Sequence, residues 1–336
     1  MLPMTTISGW GDFPALIEEI AGARALQDII RRHDLPLSVL DAPGHRVPLA
    51  KMMRIFEAAA RLTGDEEFGV RLGKNTGPAD FGAWAAHAYC APTLGEALKR
   101  VCSTLWAHES GTLMYLEEHP QHVVWCYKTN LAKQETVRHS TDHLFETVIA
   151  FFQGFLGPYW RPDWVEVDYR KPAIRQRLEE TLGTKIHFNR PNFGVAVRKT
   201  DLAAQLSGPL PFARPVTSLD LSARPHNAPT AVIPDFVKII DLRMMDGAVD
   251  LDGFAKTLDL GPRTLQRQLA KLGCTYKELL ETEMSVKAIA TDLGYVEPEN
   301  FTRAFRKWHD VSPTEFRLKA GDARKGSKDD ATIVAK

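Results

Sequence analysis

Between Asp250 and Arg317 the apolar residues fall at helical spacing in four short runs, which pair into two helix-turn-helix units. The first unit opens with Leu251, Phe254, Ala255 and Leu258, and Asp259-Leu260-Gly261 breaks it. Pro262 then stands at a first helical position, where its missing N–H costs nothing. Leu265, Leu269 and Leu272 follow at i, i+4 and i+7, while Arg263, Gln266, Arg267 and Lys271 occupy the other side. No acidic residue occurs from Gly261 through Lys277. In the second unit Ser285 caps a helix carrying Ile289, Ala290 and Leu293, and Gly294-Tyr295 ends it. Pro298 starts the last helix, with Phe301, Phe305 and Trp308 on one side and Asn300, Arg303 and Lys307 on the other. A short helix with one apolar stripe and one Arg/Gln face suits a DNA major groove, because Arg forks onto guanine and Gln onto adenine.

The first two hundred residues carry mixed periods. Helical spacing predicts Phe13–Arg32 as one helix, Val47–Leu62 as a second, and a short element from Phe68 to Leu72 stopped by Gly73 and Gly77-Pro78. Asp80–Ala91, rich in Ala and aromatics, reads as a buried helix. Thr93 caps the next, with Glu96 three residues on, and Leu94, Ala97, Leu98, Val101 and Leu105 line its face. From Gly111 the pattern shifts to strands: Leu113–Leu116 and Val123–Tyr127, joined by Glu117–Gln121. Arg138–Phe155 and Ile174–Leu182 read as helices, and Trp164–Tyr169, Lys185–Phe188 and Phe193–Val197 as strands. The fold class expected is an α+β N-terminal domain followed by an all-α domain with two helix-turn-helix units.

The prolines set the boundaries. Gly208–Pro234 holds Pro209, Pro211, Pro215, Pro225, Pro229 and Pro234, which predicts an extended linker without regular helix. The division expected is 1–207, a linker at 208–234, a helical domain at 235–320 opening with a helix at Asp235–Met245, and a disordered tail at 321–336.

Composition changes this picture in one respect. The 336 residues carry 42 Lys+Arg against 42 Asp+Glu, and 235–320 alone has 13 against 14, so no general polyanion binder is indicated. Non-specific DNA affinity comes largely from phosphate neutralisation, so binding through the local cationic faces is expected to be modest and strongly salt-dependent. The four cysteines (Cys90, Cys102, Cys126, Cys274) lack a C-x-x-C pair and read as reduced thiols of a cytoplasmic protein. No signal peptide and no apolar stretch long enough to span a membrane are apparent.

At these residues the chain resembles a known family. LGPRTLQRQLAKLG (Leu260–Gly273) and LGYVEPENFTRAFRKWHDVSPTEFR (Leu293–Arg317) are similar to the C-terminal domain of AraC/XylS-type transcription regulators, the second string carrying F-x-R-x-F-[RK] and V-S-P-x-x-[FY]-R. RVPLAKMMRIFEAAARLTGDEEFGVRLG, DFGAWAAHAYCAPTLGEALKRV and YWRPDWVEVDY resemble the arabinose-binding-type effector domain of one subgroup. The resemblance implies a sequence-specific transcriptional regulator with double-stranded DNA as partner, a homodimer, a small-molecule effector of unspecified chemistry, and contact with RNA polymerase as a further partner. By position in the motif, Arg263, Thr264, Gln266 and Arg267, and in the second unit Glu299, Asn300 and Arg303, are the base-reading set; Lys271, Arg306 and Lys307 are assigned to phosphates.

The sequence departs from the family between the units. Only Gly273–Met284 separates them, roughly fourteen residues or about 20 Å of helix less than usual. Two successive major grooves lie about 34 Å apart. The alternative reading is therefore a ligand-binding or protein-interaction module with an impaired DNA-binding domain.

Enzymatic chemistry has little support. Glu135, His139 and His143 share a helical face, with Asp142 and Glu146 nearby, yet H-E-x-x-H is absent and a helix face without metal is the expected outcome. His119 and His122 are expected in a turn. No G-x-S-x-G, Walker loop or dinucleotide fingerprint occurs, so no catalytic residue and no cofactor is assigned. An effector pocket needs apolar walls with a few directed polar groups. The candidates are Trp84, His87, Tyr89, Trp106, His108 and Trp125.

Overall fold

The structure, a computed structural model, describes residues 2–129, 131, 138–221, 232–248, 250–281, 298–309 and 311. It is an α+β domain followed by a helical one. Helices α1 (Phe13–Ala21) and α2 (Ala23–Arg32) replace the single helix expected there. Gly22 causes the break: its φ of 86° and ψ of 159° are open only to glycine. Helix α3 (Leu49–Thr63) ends at Gly64 in the left-handed conformation. Helix α4 runs Phe68–Lys74, through Gly73 rather than stopping before it. There Gly69 and Gly73 face a later helix, α7 (Arg138–Leu156), so closely that an added Cβ would lie 2.3 Å from the His139 carbonyl oxygen and 2.4 Å from that of His143. The stretch Asp80–Ala91 is shorter in helix than expected, with a 3-10 turn before α5 (Gly82–Tyr89). Helix α6 (Leu94–Ser103) follows, and Thr93 Oγ1 accepts the Glu96 N–H as its cap. Helix α8 (Arg175–Leu182) lies near the end of the domain.

Two sheets share this domain. A small one, order β2-β1-β3, joins β1 (Met4–Thr6), β2 (Arg46–Pro48) and β3 (Glu109–Ser110), all antiparallel and none anticipated from the sequence. The larger has the order β4-β5-β8-β6-β7, made of β4 (Thr112–Glu118), β5 (His122–Thr129), β6 (Trp164–Glu166), β7 (Lys185–His187) and β8 (Phe193–Arg198). Only its β6–β7 pair is parallel, and β6 covers half of the strand expected at Trp164–Tyr169. Alternation along β5 and β8 sends Val123, Trp125, Tyr127, Phe193, Val195 and Val197 into the main core. There they meet Phe145, Ile149 and Phe152 of α7.

The stretch read as an extended linker is not extended throughout. Leu210 and Phe212 pack on the main core, and Val216 and Leu221 are buried with Ala86. Ser218–Leu221 forms a turn of helix, α9, and α10 (Val232–Met245) starts three residues earlier than expected, with Pro234 in its first turn. The prolines described there permit both, because Pro209, Pro211 and Pro215 lie outside a helix and Pro234 within the first turn of one.

The described remainder of the chain is helical: α10, α11 (Leu251–Thr257), α12 (Pro262–Lys271), α13 (Tyr276–Glu281) and α14 (Pro298–His309). Phe236, Ile240, Phe254, Leu258, Leu265 and Leu269 form the core of this domain. The helix expected at Ser285–Leu293 and the tail at 321–336 lie outside the described residues.

The two domains share a closed seam. Met4 joins the core of the helical domain and Leu242 that of the α1–α4 layer. The Asp246 carboxylate accepts the N–H groups of Leu37 (2.5 Å) and Ser38 (3.1 Å). Thr257 Oγ1 donates to the Asp34 carbonyl at 2.9 Å. Asp259, in the turn between α11 and α12 with φ 55°, is met by Arg54 and, at 3.1 Å, by the buried Lys51 ammonium.

Candidate nucleic-acid interface and interior cavity

Helix α12 owes its two faces to the spacing of its leucines. Leu265 and Leu269 are fully buried, which turns Arg263, Gln266, Arg267 and Lys271 to solvent and leaves Thr264 half-buried. Pro262 occupies the first helical position, as its sequence context requires. The side chain of Asp250 caps α11 through the Gly253 N–H at 2.5 Å, and Phe254 stacks on Tyr276 at 5.3 Å. The α11–α12 unit is therefore held from behind, with its guanidinium and amide groups free to approach a duplex.

In α14 the buried Phe305 anchors the helix, which lies against α10. Arg303, Arg306 and Lys307 are exposed. Glu299 and Asn300 fall in its first turn, their side chains outside the described set. The structure thus places four residues of the first unit and three of the second on open cationic faces.

A second feature lies inside the α+β domain. A cavity of about 110 Å³ is bounded by α5, β4, β5 and α7. Of the six aromatic and imidazole residues singled out in the sequence, Trp84, Tyr89, His108 and Trp125 line it. Trp84 and His108 stack at 5.0 Å. His87 and Trp106 do not line it. The His87 ring nitrogen Nδ1 lies 3.1 Å from the Val216 carbonyl oxygen, and Trp106 lines an outer groove that shares Phe81, Trp84 and His108 with the cavity.

The cavity wall also holds groups that periodicity did not single out. Tyr127 Oη donates to Glu109 Oε1 at 2.6 Å, both residues buried. Burial raises the pKa of Glu109, against the pull of its hydroxyl neighbours. Burial lowers His108 to about 3 and His143 to about 4. The nearby Arg46 guanidinium adds to the effect at His108.

The histidines read as a weak metal set turn out to be core residues. The Gly69 N–H donates to His139 Nδ1 at 3.4 Å, and His143 Nε2 lies 3.2 Å from the Gly9 carbonyl oxygen. Desolvation lowers His139 to about 4. Asp142, beside them, takes the Tyr169 hydroxyl at 2.5 Å and Arg138 Nε at 3.1 Å, yet burial still raises it to about 7. Glu135 lies outside the described residues, and among those described no group of three or more potential ligands is assembled to hold a metal. His119 sits in the turn, but His122 begins β5 and meets Asp163 at 2.6 Å. None of the four cysteines is in a disulfide, and burial pushes Cys102 up to about 11 and Cys126 to about 12. Among the described residues no helix is long and apolar enough to cross a membrane.

Comparison with known proteins decides what this arrangement is. Residues 24–206, more than half of the chain, match the family described as the arabinose-binding domain of AraC transcription regulator, N-terminal. The chain belongs to the AraC-type transcription regulators. Residues 276–319 of this regulator further match a helix-turn-helix domain, a stretch that begins after α12. It is 23% identical over 327 residues to the HTH-type transcriptional regulator VirS of Mycobacterium tuberculosis, covering 93% of this chain and 95% of that one. It is 22% identical over 342 residues to the ornithine utilization regulator of Pseudomonas aeruginosa, covering 91% and 98%. Among solved structures, the transcriptional regulator CdpR from Pseudomonas aeruginosa is similar at 17% identity over 79% of this chain and 90% of that one, with a TM-score of 0.40. The protein is a DNA-binding transcriptional regulator.

Proposed function

We infer that this regulator is a cytoplasmic homodimer that reads a specific DNA sequence and responds to a small molecule held in its N-terminal domain. The exposed Arg263–Gln266–Arg267 face of α12, backed by Leu265 and Leu269, carries the reading. Arg263, Gln266 and Arg267 contact base edges in a major groove, with Thr264 at the margin; Lys271 meets phosphate. Arg303 and Asn300 of α14 have the same task in the second unit. Glu299 accepts from cytosine N4, while Arg306 and Lys307 hold the backbone.

The short connection after Gly273 and the seam at Asp259 both favour one dominant recognition helix per protomer. The partner protomer then supplies the second half-site. Hydroxyl-radical footprinting on a selected DNA fragment tests this. Protection of one major groove per protomer is expected, and a single protomer protecting two adjacent grooves contradicts it. The division into an effector domain at 1–207, a connection at 208–234 and a DNA-binding domain at 235–320 belongs to the same proposal. Limited proteolysis that cuts first within 208–234 supports it, whereas a first cut inside 1–207 opposes it.

A further inference from the structure

We propose that the interior cavity takes a small, uncharged, largely apolar molecule about the size of a single aromatic ring system, of the phenol or indole class. This rests on the effector reading above and adds the chemistry of the ligand.

Size comes first. The cavity measures about 110 Å³, less than the roughly 150 Å³ of an apolar cavity that holds benzene, so one ring system is the largest guest it takes and the wall has to give slightly to admit it. The lining comes second. Rings and aliphatic carbon from Trp84, Tyr89, Met114, Val148 and Phe151 face it, and no Lys or Arg lines it. Among the described residues an anionic ligand would therefore have no cation in direct contact.

Hydrogen-bonding capacity is the third observation. Glu109 is already engaged by Tyr127, and the Thr147 hydroxyl donates to the His143 carbonyl at 2.9 Å. Among the described residues, three on the wall keep buried polar atoms without a partner, the Trp84 and Trp125 Nε1–H groups and His143 Nδ1. Because His143 Nε2 faces the Gly9 carbonyl, the ring proton sits there and Nδ1 is left as an acceptor. The wall thus offers two indole donors and one acceptor, which suits one hydroxyl or ring N–H. A pentose brings about four hydroxyls, each both donor and acceptor, which is more than these groups can pair.

Charge is the fourth. His108, Glu109 and His143, the ionisable groups on the wall, are all pushed towards their neutral forms by burial. The same desolvation opposes an ionised guest, and Arg46 adds to the cost of a cation beside His108.

Isothermal titration of the full chain with phenol, indole and toluene, beside L-arabinose, benzoate and tetramethylammonium, tests the proposal. The neutral rings are expected to bind one to one and to raise the melting temperature with concentration, while the other three do neither. Val148→Trp fills the space and abolishes binding. Trp84→Phe keeps a ring but loses the N–H, weakening phenol about tenfold and leaving toluene unchanged. If Val148→Trp does not fold, the Trp84→Phe comparison and the wild-type series still decide. Binding of arabinose, benzoate or tetramethylammonium in place of the neutral rings overturns the proposal. So does ring binding that both variants leave intact.

A DNA-binding arm separates this from the effector reading. If phenol occupies the cavity and DNA affinity does not move, the ligand class stands and the effector role falls. If a charged or polyhydroxylated compound shifts DNA affinity while the neutral rings fail to bind, the effector role stands and the class falls.

Discussion

The two domains treat charge in opposite ways. In the α+β domain, His108, Glu109, His139, Asp142 and His143 are buried, and desolvation drives each towards its uncharged form. In the helical domain, Arg263, Arg267, Lys271, Arg303, Arg306 and Lys307 stay in water behind small leucine and phenylalanine cores. One interior holds its titratable groups uncharged around a largely apolar cavity; the other surface keeps charge available for a polyanion. An almost neutral sequence conceals this division, because the contrast lies in where the groups are placed and not in how many there are.

The largest effect that would sharpen the comparison concerns the small core behind the cationic surface. Phe254 is fully buried, edge-on to Phe236 and stacked on Tyr276. Phe254→Ala is expected to cost about 3–5 kcal/mol in the helical domain. Denaturation should then show loss of DNA binding while the α+β domain keeps its own transition.

Next comes the buried acid. The folded pKa of Asp142, about 7, lies above its ordinary value of 3.8. Between these values the folded state holds a proton that the unfolded state has released, so this group's contribution to stability falls as pH rises from about 4 to 7. Asp142→Asn is free of that loss. Relative to wild type, the variant should gain on the order of 2 kcal/mol between pH 5 and pH 8 in urea unfolding. A stability difference that does not change with pH would mean that Asp142 is ionised throughout.

The histidines carry the opposite sign. With folded values of about 3 to 4 for His108, His139 and His143, the stability they contribute is lost as pH falls below about 6.5. Acid unfolding of the α+β domain should therefore be blunted by replacing His139 with Gln.

Smaller still are the contacts with DNA. Arg267→Ala should weaken binding to a preferred site by about 1–3 kcal/mol and relax the choice of base, read by competition titration. Lys271→Ala should weaken all sequences alike and reduce the salt slope by about 1.

What could be read in advance follows from how local the cause is. Pro262 and the leucine spacing of α12, the Thr93 cap and the β4–β5 hairpin are set within a few residues, and they were legible. Gly22 sits inside an unbroken apolar period, so only its backbone conformation reveals the break. Gly73 reads as a stop because its role, like that of Gly69, is to admit α7, some seventy residues away. The strands at Met4–Thr6, Arg46–Pro48 and Glu109–Ser110 are too short for a period of two to show. Four cavity aromatics were recognisable by type. The Glu109–Tyr127 bond was not, because it depends on pairing across the domain.

Selection of DNA fragments by the purified chain tests the central claim most directly, comparing wild type with a variant carrying Arg263→Ala, Gln266→Ala and Arg267→Ala. Wild type is expected to enrich one recurring sequence at low salt, and the folded variant none. Enrichment of the same sequence by the variant, or no enrichment by wild type, would contradict it.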